Sequence, residues 1–273
     1  MTTTSRPEVT AVLHGAADRP RPAGPVAAAL VYAQRALLKI RHVPEQLFDV
    51  TVFPVMMTLM FTFLFGGALA GSIDAYVQFL VPGIFAQTII MITMYTGLTL
   101  NKDIEKGVFD RFRSLPVWRP APLVGALLGD QVRYLLAGTI TLGLGFLLGF
   151  RPAGGFLSVV VATVLLLIFA FALSWLWTMI ALLVRTEQAL MGISMFILMP
   201  LVFASNIFVD PATMPRWLQG FVEANPVSVV VTAMRDVMAG DPSFGGIVLV
   251  FVWSGVLVAI FGPISMVLYN RRT

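Results

Sequence analysis

The sequence predicts an all-α integral membrane protein. It would have six transmembrane helices, an N-terminal amphipathic interfacial helix, a short cytoplasmic helix between the second and third spans, and a re-entrant hairpin on the outer side. Three observations predict this. The 273-residue chain is 58% hydrophobic and only 12% charged. Soluble domains carry about 25% charged residues, so lipid must be the solvent for much of this surface. Six apolar stretches reach the roughly 20 residues a helix needs to cross a ~30 Å hydrocarbon core. Lysine and arginine also gather on alternate connections, as they do where loops face the cytoplasm.

Residues 1–24 are rich in Thr, Pro, Ala and Arg and show no apolar periodicity. They read as a disordered cytoplasmic head. The first long apolar run begins only near Leu47, which does not fit a cleaved signal peptide, where the apolar core follows a short basic start. Residues 25–46 form the next unit. Leu30, Ala33, Leu37 and Ile40 share one helical face, and Arg35, Lys39 and His42 share another. Such a helix lies in the headgroup plane or packs on a cytosolic partner, and Pro44 ends it.

Residues 47–273 hold the spans, at about 48–68, 77–100, 124–149, 156–184, 189–208 and 244–268. Each must be helical, because lipid offers no partner to exposed backbone polar groups and the runs are too long for barrel strands. Pro54, Pro82 and Pro200 fall inside spans and should bend them locally. With the N-terminus inside, the inner segments hold Arg6, Arg19, Arg21, Arg35, Lys39 and Arg41, then Lys102, Lys106, Arg111, Arg113 and Arg119, then Arg185, Arg271 and Arg272. The outer segments hold Arg151, Arg216 and Arg235. This asymmetry places both termini in the cytoplasm. The long outer segment 209–243 carries two apolar pieces too short to span, about Met214–Val222 and Val227–Met238. They would form a re-entrant hairpin enclosed by protein or a water-filled cavity, or two surface helices lying on the headgroups. Asn225, Pro226 and Arg235 are its marked residues.

Several functions are excluded or disfavoured. The absence of cysteine excludes disulfides, thiolate metal sites and cysteine nucleophiles. The histidines, His14 and His42, both lie in the polar N-terminal region, so no metal site is expected. No G-x-x-x-x-G-K-[ST], H-E-x-x-H or nucleophile elbow occurs, so neither nucleotide binding nor catalysis by this chain is expected. The net charge of +4 fits cytoplasmic loops beside anionic headgroups better than nucleic-acid binding.

The charged inner segment between spans two and three begins NKDIEKGVFDRFRSLPVWRP. Its charges flank an apolar ridge of Val108, Phe109 and Phe112, with Glu105, Val108, Phe112 and Leu115 at helical spacing. A short helix of this kind inserts into a groove on a soluble partner, or lies on the surface held by its charges. The run GVFDRFRSLPVWRPAPLVGALLGD resembles the inner loop of type-2 ABC exporter permeases, of the daunorubicin/doxorubicin-resistance type. An acidic residue there precedes a helix ending R-(LF)-R-x-x-P-V-x-R. Arg111, Phe112, Arg113, Leu115, Pro116, Val117 and Arg119 match that pattern. Pro54 followed by FLFGGAL, and NPVSVVVTAMRD from Asn225 to Asp236, also agree. Trp118 stands where small polar residues are common.

The resemblance implies a coupling helix, with Glu105, Asp110, Arg111, Phe112, Arg113, Leu115, Pro116 and Arg119 as contacts to an ATP-binding ABC subunit. It also implies that the interfacial helix, through Arg35 and Lys39, meets the same subunit. The assembly implied is a permease homodimer with two ATPase subunits, ATP and Mg²⁺ being held by those subunits and no cofactor by this chain.

Charge inside the spans is scarce, which disfavours ion coupling. Asp130 and Arg133 are three apart on one helix near the inner face and form a structural pair or line an opening to the path. Met191, Met195 and Met199 make an i, i+4, i+8 stripe near Ser205 and Asn206. The stripe is core packing or an adaptable wall for hydrophobic cargo. Gly125 with Gly129 and Gly145 with Gly149 permit close helix approach. The function expected is the permease subunit of an ATP-driven exporter moving a hydrophobic or amphipathic drug or lipid. Alternatives are export of a lipid-linked polysaccharide, a non-transporting scaffold or sensor for a soluble ATPase, and a passive channel.

Overall fold

The computed structural model describes residues 31, 34, 44–67, 71–107 and 120–271. Arg35 and Lys39 of the expected interfacial helix lie outside these residues, as does the inner segment 108–119 with Asp110, Arg111, Phe112, Arg113, Leu115, Pro116 and Arg119. The described chain is helical throughout, with no strand. Helix α1 spans Pro44–Met60 and runs on into a π-helical turn, Phe61–Phe65. Then come α2 Ile73–Glu105, α3 Ala121–Leu147, α4 Gly155–Leu183 and α5 Glu187–Phe203. A 3₁₀ turn, Pro211–Thr213, leads to α6 Arg216–Ala224, α7 Pro226–Ala239 and α8 Phe244–Arg271.

The helix ends follow from local chemistry. Ser72 starts α2 by accepting from the Ala75 amide, and Thr186 starts α5 by accepting from that of Ala189. Each side-chain oxygen satisfies one of the amides that a first turn leaves without a partner. Asn225 caps α7 in the same way, followed by Pro226 at the first helical position. Gly240 ends α7 at φ +84°, a left-handed conformation that only glycine adopts without steric cost.

Helices α2, α4 and α8 are long and apolar enough to cross a bilayer. Their burial orders them from the centre outward: 83% of the apolar window of α2 lies inside the protein, 50% of that of α4, and 17% of that of α8. The central helix is thus α2, packed on α3, α4 and α5. On α8, Phe251, Val252, Val256, Ile260 and Ile264 face outward. Helix α3 is also apolar, but Asp130, Gln131 and Arg133 interrupt it. The spacing of Gly145 in α3 has a visible purpose: a Cβ there would lie 2.5 Å from Val81 of α2. An exposed Gln78 stitches α2 to the α3–α4 turn, donating to the Gly149 carbonyl and accepting from the Arg151 amide.

Two elements differ from the expectation in extent. The fifth apolar run was expected to stay helical to about residue 208, yet α5 stops at Phe203. The residues after it unwind where side chains of α2 and α7 take their carbonyls, as set out below. The segment 209–243, expected as an outer hairpin, is a helix pair of unequal arms. Along α7, Val227–Val231, Ala233, Met234, Val237 and Met238 are buried against α2, α4 and α8. Of α6 only Val222 is buried, with Trp217 and Phe221 exposed. Pro263 is a further proline within a long helix.

Candidate functional site

Glu105 is the last residue of α2. The chain then turns at Gly107, with φ +63°, whose amide donates to the Ile104 carbonyl. This glycine closes the helix in the manner of a left-handed cap. Glu105 thus ends α2, and Val108, Phe112 and Leu115 of the expected helical spacing lie outside the described residues. The segment resumes at Pro120, which starts α3. The stretch between Gly107 and Pro120 is thus flanked in sequence by two long helices, α2 and α3.

Near the opposite end of α2, around Tyr76 and Phe79, three predicted residues come together. Asn225 accepts from the Val227 amide at 2.9 Å and donates through Nδ2 to the carbonyls of Leu201 (2.9 Å) and Ala204 (2.8 Å). It starts α7 and finishes α5 at once. Arg235 donates from Nε to the Phe79 carbonyl (3.0 Å), from Nη1 to Asn206 (2.9 Å) and from Nη2 to Ile207 (3.0 Å). Its guanidinium also lies 3.7 Å from the centroid of the Phe79 ring, a cation–π contact. Asn206 is buried. Its amide donates to Ser228 Oγ and its Nδ2 to Thr232 Oγ1, so it belongs to this joint.

Sequence reasoning missed two members. Tyr76 donates to the Phe208 carbonyl at 3.0 Å. Gly83 lets the unwound segment approach, because a Cβ there would lie 2.6 Å from the Ile207 carbonyl and 3.1 Å from Arg235. The carbonyls of residues 201, 204, 206, 207 and 208 are all satisfied by side chains of α2 and α7. That is the condition under which irregular backbone is tolerated beside apolar surroundings. A tyrosine and a glycine in an apolar run carry no sequence signal of such a role.

The remaining candidates lie apart. Met195 packs partly buried against the core, while Met191 and Met199 are exposed on α5. Pro226 forms the first turn of α7 beside Asn225. Asp130 and Arg133 form a buried intrahelical ion pair of 3.1 Å, as i, i+3 residues on one helix can. A hydroxyl seam runs alongside: Tyr134 bonds both Thr96 and Ser174, and Trp177 donates to Thr93.

A bundle of apolar helices, three of them long enough to cross a bilayer, with α7 buried among them, defines a multi-pass membrane protein, and the comparisons agree. Residues 28–239 match the family described as ABC-2 type transporter. The daunorubicin resistance ABC transporter permease protein DrrB1 of Streptomyces coeruleorubidus is 48% identical over 257 residues, 94% of this chain and 91% of that protein. The probable doxorubicin resistance ABC transporter permease protein DrrC of Mycobacterium tuberculosis is 24% identical over 88% of each chain. The putative transport permease ycf38 of Cyanophora paradoxa is 23% identical over 75% of this chain and 72% of that protein. The chain belongs to the ABC-2 type transporter family. It is a membrane permease, the transport component of an ABC transporter.

Proposed function

We propose that this permease exports an amphipathic, drug-like molecule, driven by a separate ATP-binding subunit that docks on the inner connection between α2 and α3. The observation that carries the reading is the 48% identity, over nearly the whole chain, to a daunorubicin resistance permease. The inner-segment pattern from Arg111 to Arg119 supports the docking site. Six spans, formed by α1 with its π turn, α2, α3, α4, α5 and α8, put both termini and the inner connection in the cytoplasm. The α6–α7 pair is the outer hairpin, with α7 dipping among the spans and α6 at their rim. Arg35 and Lys39 belong to an interfacial helix meeting the same ATP-binding subunit.

Two permeases pair with two such subunits, which hold ATP and Mg²⁺. The exposed apolar face of α5, with Phe196 and Phe203, suits the pairing surface or the cargo wall that Met191, Met195 and Met199 would line. ATP can bias the helices only if the ATP-bound subunit grips the segment differently from the empty one. The test is purification of the chain in mild detergent, identification of the soluble subunit that accompanies it, and measurement of ATP hydrolysis with and without daunorubicin. An accompanying ATPase stimulated by the drug is expected. A chain that purifies with no ATPase would sink the reading.

A further inference from the structure

We infer that the inner end of α2 is a rigid junction that carries movement of the 103–120 segment to α5, with Asn101 as its positioning residue. The inference rests on that segment being the docking site proposed above.

Four contacts sew one side of α2 to its neighbours over its last three turns. Trp177 of α4 donates to Thr93 Oγ1 at 2.7 Å. One turn on, Gly97 brings the two backbones together, since a Cβ there would lie 2.9 Å from the Trp177 carbonyl. After another turn, Asn101, only 1% exposed, donates from Nδ2 to the carbonyls of Ala181 (3.2 Å) and Val184 (3.3 Å). Those carbonyls belong to the last turn of α4 and its cap, where no amide of the helix itself can reach them. Finally, Lys102 pairs with Glu187, the first residue of α5, at 3.0 Å. Residues 93, 97 and 101 are spaced by four and so lie along one face.

The consequence concerns α5. It packs chiefly on α2, and only Leu190, Ser194, Leu198 and Val202 are buried along it. Its start is fixed by the three-residue turn 184–186, which Asn101 and Lys102 grip from both sides. A displacement of α2 by the docked subunit therefore moves the root of α5 with it. An exposed ion pair alone contributes little, so the buried amide is the principal tie and the pair sets the register. Asn101 is closed off within the chain and bonds the end of α4 and its cap, just ahead of α5, so its role is one of positioning.

The test uses the permease with its ATP-binding subunit in inside-out proteoliposomes and daunorubicin as probe. Asn101→Leu and Glu187→Lys should each keep the subunit bound and basal hydrolysis intact. Each should lose ATP-driven uptake by about tenfold, within the range of ordinary coupling energies. Lys102→Glu combined with Glu187→Lys should restore uptake, which lost folding would not allow. Because the chain has no cysteine of its own, a Lys102→Cys/Glu187→Cys pair joined by a short cross-linker provides a separate check, and transport should survive the bridge. Parent-like uptake in Asn101→Leu, no rescue by the double reversal, or transport blocked by the bridge would each overturn the junction. A parent assembly that binds no ATPase or moves no daunorubicin would instead sink the proposed function beneath it.

Discussion

Arg235 and Asn225 show how single residues decide whether an irregular backbone survives among apolar helices. Arg235 offers its planar fork to three carbonyls, one in α2 (Phe79) and two in the unwound stretch after α5 (Asn206 and Ile207). Lysine has a point charge and cannot hold that geometry. Arg235→Lys should therefore lower stability by about 2–3 kcal/mol, the size of two lost charge-assisted bonds, read as an earlier thermal unfolding of the detergent-purified protein. Asn225→Ala removes a cap and two donors to the end of α5, and should lose about 3 kcal/mol on the same measurement. Gly83→Ala should also destabilise, because its new methyl meets a backbone carbonyl rather than a flexible side chain. Of this joint, Asn225, Arg235 and Asn206 were legible as polar residues in an apolar setting, and Pro226 as a helix-starting proline beside Asn225. Tyr76 and Gly83 were not, since their role depends on a segment more than 120 residues away.

At the scale of elements, the long helices were legible because apolar run length is a direct consequence of bilayer thickness. Their ends were less so. The Lys106–Gly107 close of α2 is written in a glycine at φ +63°, but the glycine of a loop and that of a helix cap look alike in sequence. The early end of α5 comes from side chains outside its own run. The inner segment belongs to this scale as well. Arg113→Glu reverses a charge in the stretch proposed to meet the ATP-binding subunit. It should abolish ATP-driven drug export while leaving membrane insertion intact, checked by uptake assays and by extraction of the protein from membranes. Unchanged export would count against the segment as the docking element.

The whole molecule is arranged around α2, which is covered on nearly every side from Tyr76 to Asn101, with α8 left to face outward. The proposed orientation makes a definite topological prediction. Single cysteines at Arg185 and Glu105 should react with a membrane-impermeant reagent only from the cytoplasmic side, and one at Thr213 only from the outside. Labelling of Glu105→Cys from the outer face of intact cells would overturn the orientation and the docking proposal together.

The sequence by itself determined the class of protein, the solvent it needs and the positions of its apolar helices. These depend on composition, run length and the placement of cations, all properties of the chain read locally. The pattern from Arg111 to Arg119, the Asn225–Pro226 pair and Arg235 were equally visible there. Only the tertiary structure decided that α7 is buried while α6 is exposed, that α5 unwinds at residue 204, and that Asn101, Tyr76 and Gly83 hold the bundle together. Each of these follows from which distant side chain reaches a carbonyl left free by its own helix, and such a pairing exists only once the helices are packed.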